Sequence, residues 1–92
     1  MPVSQKNVTV GTSATSLFGA SHNRRRFVIH NDSGATVYVG GPDVTTDDGH
    51  VIPDNGSFEV SQQFPTDASA KYQYFAVSAA GGAVIRIVEV TG

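Results

Sequence analysis

The chain has 92 residues, a formal net charge of −2 at pH 7 and no cysteine. A chain of this length forms one small domain with a marginal core, and it cannot be stabilised by disulfides. Charged residues make up 15% of the sequence, against about 25% in an average soluble domain. We therefore expect that part of its surface is covered by partners, and the acidic balance gives no general attraction to nucleic acid.

The first strand is predicted at residues 7–10, where Val8 and Val10 alternate with polar residues. The preceding residues 1–6 show no periodicity and are predicted to form a flexible N-terminal arm, followed by a single β domain over residues 7–92. No apolar run approaches the length of a membrane span or a signal-peptide core, so we expect no export and no membrane partner.

The next segments are short and rich in β-branched and aromatic residues, which favour strands. A strand around Thr15–Phe18 precedes one over Arg25–Asn31, and a third follows at Thr36–Gly40. The turn residues Asn31-Asp32-Ser33-Gly34 predict a β-hairpin between the last two. A polar loop over residues 41–50 then leads to two further short strands around residues 51–52 and 58–61.

The last two strands have the clearest alternation. In Tyr72–Ala79 we expect Phe75 and Val77 on one face and the tyrosines on the other. In Ala83–Val90 the isoleucines face inward, and a bulge or an edge position is expected near Val88 because the alternation fails there. No segment has helical periodicity. The sequence therefore predicts an all-β fold, a small antiparallel β-sandwich or barrel of about eight short strands.

Clustered aspartates in the loop, Asp43, Asp47 and Asp48 with Gly49, suggest a calcium site because hard cations bind carboxylate oxygens. Their spacing does not match an EF-hand loop, and Asp and Gly are ordinary turn residues. We therefore predict no metal site and no cofactor. His22, His30 and His50 are scattered, and no serine lies in a G-x-S-x-G elbow, so we predict no catalytic residues and no enzyme activity.

Two further groups of residues point to contacts. Arg24-Arg25-Arg26 is the one dense charge run, and arginine can bind phosphates; alternation sends Arg25 to the opposite face, so ion pairs with the aspartate-rich loop are favoured over nucleic acid. Tyr38, Tyr72 and Tyr74 are predicted to point away from the core, where tyrosines contact partners or stack on sugars.

The order of several short motifs resembles a family of small virion proteins of tailed bacteriophages, the capsid decoration (cement) proteins and related head and tail components. These motifs span most of residues 8–90: Val8-Thr9-Val10-Gly11, Arg25–Asn31, Tyr38-Val39-Gly40-Gly41, Val44-Thr45-Thr46, Gly49, and Ile52-Pro53 with Gly56.

The resemblance implies a non-enzymatic protein that is made in the host cytoplasm and binds the outer surface of the phage capsid, stabilising the shell. Its expected partners are the major capsid protein and further copies of itself, with a homotrimer favoured. A tail, connector or fibre-associated protein is the alternative, and a carbohydrate-binding module is a remoter one. The expected partner-binding residues lie in the arm, the arginine run and the loop: Pro2, Val3, Ser4, Gln5, Lys6, Arg24, Arg26, Tyr38, Pro42, Asp43, Val44, Asp47 and Asp48.

Overall fold

The computed structural model describes residues 3–21, 23–63 and 69–91, which form eight strands and one 3-10 helix at Ser69–Lys71. The strands are β1 (Val3–Val10), β2 (Thr15–Phe18), β3 (Arg24–Asn31), β4 (Val37–Gly40), β5 (His50–Ile52), β6 (Gly56–Ser61), β7 (Tyr74–Ser78) and β8 (Ala83–Thr91). None of the described residues belongs to a helix that is long and apolar enough to cross a membrane.

The strands form two four-stranded antiparallel sheets with the core between them. Sheet A has the order β1-β8-β3-β6, and sheet B has the order β2-β7-β4-β5. Every connection between consecutive strands passes from one sheet to the other, except the loop between β4 and β5. This order is that of a jelly roll, in which two Greek keys form a double sheet. The prediction of a small antiparallel β-sandwich of about eight strands is confirmed.

The core is built from alternate residues of each strand, because successive side chains point to opposite faces of a sheet. Phe27 and Ile29 of β3 are fully buried, and so are Ile85 and Ile87 of β8, as the alternation in β8 predicted. The ring of Phe18 from sheet B packs edge-on against Phe27, with 4.9 Å between centroids. Burial of each such side chain contributes about 1.5–3 kcal/mol to stability.

The inward face of β7 is the opposite of the predicted one. Tyr74 and Ala76 point into the core, whereas Val77 is buried on the outer side, under the loop between β4 and β5. The Tyr74 ring lies 4.8 Å from Phe27, and its hydroxyl donates to the Ser69 carbonyl at 2.7 Å. Because both faces of β7 are covered, alternation alone could not identify the inner one.

The predicted hairpin between β3 and β4 is also wrong, since the two strands belong to different sheets. Buried Asn31 ends β3, and its side-chain amide donates to the carbonyls of Ala35, Ile52 and Pro53. Asn31 thereby links the connection between β3 and β4 to the connection between β5 and β6 by hydrogen bonds. The polar turn residues mark a crossing between the sheets rather than a tight hairpin.

The irregularity predicted near Val88 lies instead in β3, opposite the end of β8. The register shifts between Arg24 and Arg26, which pair with Thr91 and Val90. One extra residue at this position turns the Arg24 side chain inward, where it meets Glu89. Glu89, which follows Val88 in β8, thus has a cationic partner inside the protein. β8 is a central strand, not an edge strand.

The first strand begins at Val3, four residues before its predicted start. Val3–Lys6 pair in continuous register with residues 87–90 of β8, so these residues form a paired strand and not an arm. Their polar sequence hid the strand, because β1 is an edge strand and most of its side chains are exposed. Met1 and Pro2 lie outside the described residues.

Candidate partner-binding surface

The loop of residues 41–49 is anchored on the outer face of sheet B by one apolar side chain. Val44 is buried, with 6% of its surface exposed, although its neighbours in the loop are exposed. A Cβ atom added at Gly40 would lie 2.9 Å from Val44 Cγ2, and one at Gly49 would lie 2.8 Å from it. The loop can therefore close over sheet B only because glycine occupies both ends.

Hydrogen bonds within the loop fix its shape further. The Asp48 carboxylate accepts from the Thr45 backbone N–H at 2.8 Å and from the Thr45 hydroxyl at 3.0 Å. These bonds, chiefly the one from the backbone, lower the pKa of Asp48 below its usual value. The Thr45 hydroxyl also accepts from the Asp47 N–H at 3.2 Å. The loop is thus ordered before any partner binds, which reduces the entropy lost on binding.

A groove of about 390 Å³ lies between this loop and the connection from β1 to β2. Val44 and Val77 contribute buried apolar side chains to its lining, and hydroxyl groups and the Asp43 carboxylate supply its polar groups. The groove is lined by Thr12, Ser13, Ala14, Pro42, Asp43, Val44, Thr45, Thr46 and Val77. Residues 12–14 were not among the predicted binding residues, because only the packing of the two sheets brings them to a loop some thirty positions later.

The predicted loop residues divide into exposed and buried ones. Pro42, Asp43, Asp47 and Asp48 are exposed, whereas Val44 is buried. Val44 was predicted to bind a partner, but in the structure it anchors the loop to sheet B. Tyr38 is half-buried on the outer face of β4, where its Cβ atom would lie 2.7 Å from a Cβ at Gly49.

The prediction that Arg24 contacts a partner is wrong, because its side chain is 2% exposed. Its guanidinium pairs with Glu89 at 3.3 Å and lies 3.9 Å from the centre of the Phe18 ring. It also donates to the three carbonyls of Gly19, Ala70 and Tyr72. These contacts make Arg24 an internal structural residue.

Arg26 and Arg86 form ion pairs with residues outside the aspartate-rich loop. Arg26 is half-exposed and forms an ion pair with Glu59 on the neighbouring strand, and Arg86 pairs with Asp32 at 3.0 Å. The run Arg24-Arg25-Arg26 is therefore divided between the interior and the surface, and it does not form one basic patch.

Val3–Lys6 are exposed, as binding residues must be, but they lie in sheet A and the loop covers sheet B. Lys6 extends over the Phe18 ring at 5.9 Å. The predicted arm and loop therefore form two separate surfaces, with only the end of β1 leading to the groove. Pro2 lies outside the described residues.

The three tyrosines do not share a binding platform. Tyr74 packs in the core, Tyr72 is 61% exposed and follows the 3-10 helix, and Tyr38 lies under the loop on β4. A planar sugar-stacking surface made from all three is therefore excluded.

One serine and one histidine come into hydrogen-bonding reach, with His30 Nδ1 3.0 Å from Ser57 Oγ. They stand directly opposite each other in the pairing of β3 with β6, on the outer face of sheet A. The nearby carboxylates of Asp32 and Glu59 are paired with arginines. The geometry is that of a cross-strand pair of side chains on neighbouring antiparallel strands.

Among residues 3–21, 23–63 and 69–91, no group of three histidines or carboxylates is arranged to hold a metal ion. In the loop, the Asp48 carboxylate is occupied by the two Thr45 donors. Asp48 therefore stabilises the turn of the loop.

No protein-family model and no curated protein matches the sequence. Among solved structures, the chain is similar to the stem and receptor-binding domain of the spike protein P1 from bacteriophage PM2, with a TM-score of 0.63. The likeness is one of fold. Sequence identity is 13%, and the match covers 87% of this chain but only 30% of the spike chain.

Proposed function

We propose that the chain is a non-enzymatic structural protein of a bacteriophage virion, and that it decorates the capsid surface. The observation that carries the virion role is the jelly-roll fold, which is common in viral capsid domains and is similar here to part of a phage spike. The order of motifs along residues 8–90 supports the same class of protein.

The ordered loop supports a docking role. It presents Asp43 and Asp47 outward while Val44 and the Thr45–Asp48 bonds hold it in place. A fixed polar surface on a small domain is suited to binding a repeated lattice, where symmetry multiplies weak contacts. We propose that the major capsid protein is the partner of this surface. We also propose that the protein associates with further copies of itself. The resemblance favours a homotrimer, whereas the long, regular edge strand β1 favours a dimer.

A spike, tail or fibre component is the second candidate. It is favoured by the likeness to part of a chain that comprises the stem and receptor-binding domain of a phage spike protein. A carbohydrate-binding module has less support, because Tyr74 is in the core and the groove is lined without aromatic residues.

The test is co-sedimentation of the purified protein with expanded, undecorated capsids of the phage that encodes it. We expect saturable binding at micromolar concentration and release of less DNA from decorated heads on heating. Binding to purified tails instead of capsids would favour the second candidate, and binding to neither would contradict the virion role.

Two variants locate the contact. Asp43→Ala with Asp47→Ala removes two exposed carboxylates from the loop, and we expect it to weaken capsid binding at least fivefold. Glu59→Ala removes a carboxylate from the outer face of sheet A and serves as the control. Equal affinity of the two variants would remove the loop from the proposed contact.

A further inference from the structure

The edges of the two sheets differ in how well they are protected against pairing with another chain. Exposed edge strands are usually short, bulged, charged or covered. In sheet B, β5 has three residues, and β2 has four with an irregular register. In sheet A, β6 carries the Arg26–Glu59 ion pair and lies against the 3-10 helix.

The remaining edge, β1, has one of these protections in the described part of the chain, the charge of Lys6, and it is neither short, bulged nor covered there. Its eight residues, Val3–Val10, pair with β8 without a register shift, and they include no proline and a single charged residue, Lys6. At about 3.3 Å per residue the strand is roughly 26 Å long. Among the described residues, β1 is the longest edge strand, and its pairing register with β8 is regular.

We propose that the free edge of β1 pairs with β1 of a second copy of this chain, joining the two A sheets into one eight-stranded antiparallel sheet. The same edge on both copies has the same length and the same regularity. Its single charge makes it nearly neutral, so two copies meet without strong repulsion. Isologous pairs about a two-fold axis are the commonest closed assemblies of identical chains.

The symmetry fixes which residues can stand opposite one another. Antiparallel pairing of one edge with itself requires a two-fold axis perpendicular to the sheet, so side chains of the same face are opposed and one residue faces its own copy. A centre at Lys6 would oppose two like charges, which is unfavourable. A centre at Asn7 opposes two amides and places Lys6 across from Val8, so we place the axis at Asn7.

Two exposed valines lie on the outer face of sheet A, one in β1 and one in β8. Val3 is 62% exposed and Val88, on the adjacent strand, is 39% exposed, and both lie on the outer face of sheet A. An edge contact of this size is smaller than a permanent interface. The dimer is therefore reversible and forms at micromolar or higher concentration.

The test measures native mass by sedimentation velocity over a range of protein concentrations. We expect a monomer–dimer equilibrium in the wild type. Asn7→Lys opposes two lysines at the axis and is expected to raise the dissociation constant about fivefold or more. The control Ser57→Lys adds the same charge to the exposed edge strand β6 and should leave the constant unchanged. Circular dichroism checks that both variants fold.

A second measurement uses the absence of cysteine from the chain. Asn7→Cys places two thiols opposite each other at a separation that suits a disulfide, so mild oxidation should give a covalent dimer. Ser57→Cys should remain monomeric. A strictly monomeric wild type, or a dimer or trimer that is insensitive to Asn7→Lys, would overturn the proposal. Capsid binding by such a protein would leave the virion role intact, so the two proposals fail separately.

Discussion

Arg24 connects the start of β3 to three other parts of the chain. Its guanidinium holds Glu89 of β8 and the carbonyls of Gly19, Ala70 and Tyr72. A carboxylate and three carbonyls turned toward one buried cation are satisfied only while that cation is present. This contact explains how a sequence with a marginal core can include a charged residue that is almost fully buried.

We expect Arg24→Met to lower the free energy of unfolding by about 3–5 kcal/mol, because it leaves a largely buried carboxylate unpaired. Urea unfolding measures the loss. The stability of Arg24→Lys should lie between those of the wild type and Arg24→Met, because lysine keeps the charge but lacks the planar guanidinium fork. The control is Arg26→Met, which breaks an exposed pair and should cost less than about 1 kcal/mol. Equal losses at the two positions would contradict the structural role of Arg24.

Asp48 gives the loop a dependence on pH. Its pKa is lowered in the folded protein by the bonds from Thr45, so the ionised carboxylate stabilises the fold above its unfolded pKa. This stabilisation is lost as the pH falls through the lower folded pKa. We expect Asp48→Asn to be less stable than the wild type at pH 7, and the difference to shrink below about pH 4.

Urea unfolding of both proteins at pH 7 and pH 3 measures this difference. Asp47→Asn leaves both Thr45 bonds to Asp48 in place and is the matched control. If the gap between wild type and Asp48→Asn were the same at both pH values, the carboxylate would not be its cause.

At the level of elements, the loop and β4 form one packed unit. We expect Gly40→Ala to destabilise the protein by about 1–3 kcal/mol, because the new Cβ would lie 2.9 Å from Val44 Cγ2. Val44→Ala removes that atom, so the double variant should lose less than the sum of the two single variants. A double-mutant cycle from thermal or urea unfolding measures this coupling, and strict additivity would contradict the contact.

The N-terminal strand offers a second test at this level. The sequence predicted a flexible arm over residues 1–6, but Val3–Lys6 are paired with β8. We expect deletion of residues 1–6 to lower the free energy of unfolding by about 1–3 kcal/mol through lost backbone hydrogen bonds. Deletion of residues 1–2 alone is the control. An unchanged urea midpoint for the longer deletion would mean that this part of β1 contributes nothing to stability.

The inner face of a strand could be predicted from the sequence where one face of the strand is buried and the other is exposed to solvent. In β3 and β8 the inner residues follow directly from the alternation of apolar and polar side chains. In β7 both faces are covered, by the core and by the loop, and the alternation gave the wrong inner face. In β1 neither face is strongly apolar, so its first four residues were not recognised as a strand.

For the whole molecule, the jelly-roll order makes nearly all strand pairs distant in sequence. β1 pairs with β8, β2 with β7 and β3 with β6, so chain entropy must be lost before most contacts form. We expect refolding in milliseconds to seconds, as for other all-β sandwiches. Stopped-flow dilution from urea measures the rate, and refolding within microseconds would contradict this topology.

The sequence by itself determined that the chain forms short strands, where most of them lie, and which side chains of β3, β4 and β8 face the core. These features depend on local periodicity and on turn residues. Only the tertiary structure decided that β3 and β4 belong to different sheets, that Arg24 is internal, and that residues 12–14 join the loop in one groove. Those outcomes depend on pairing between distant strands, and local periodicity carries no information about which distant strand will be the partner.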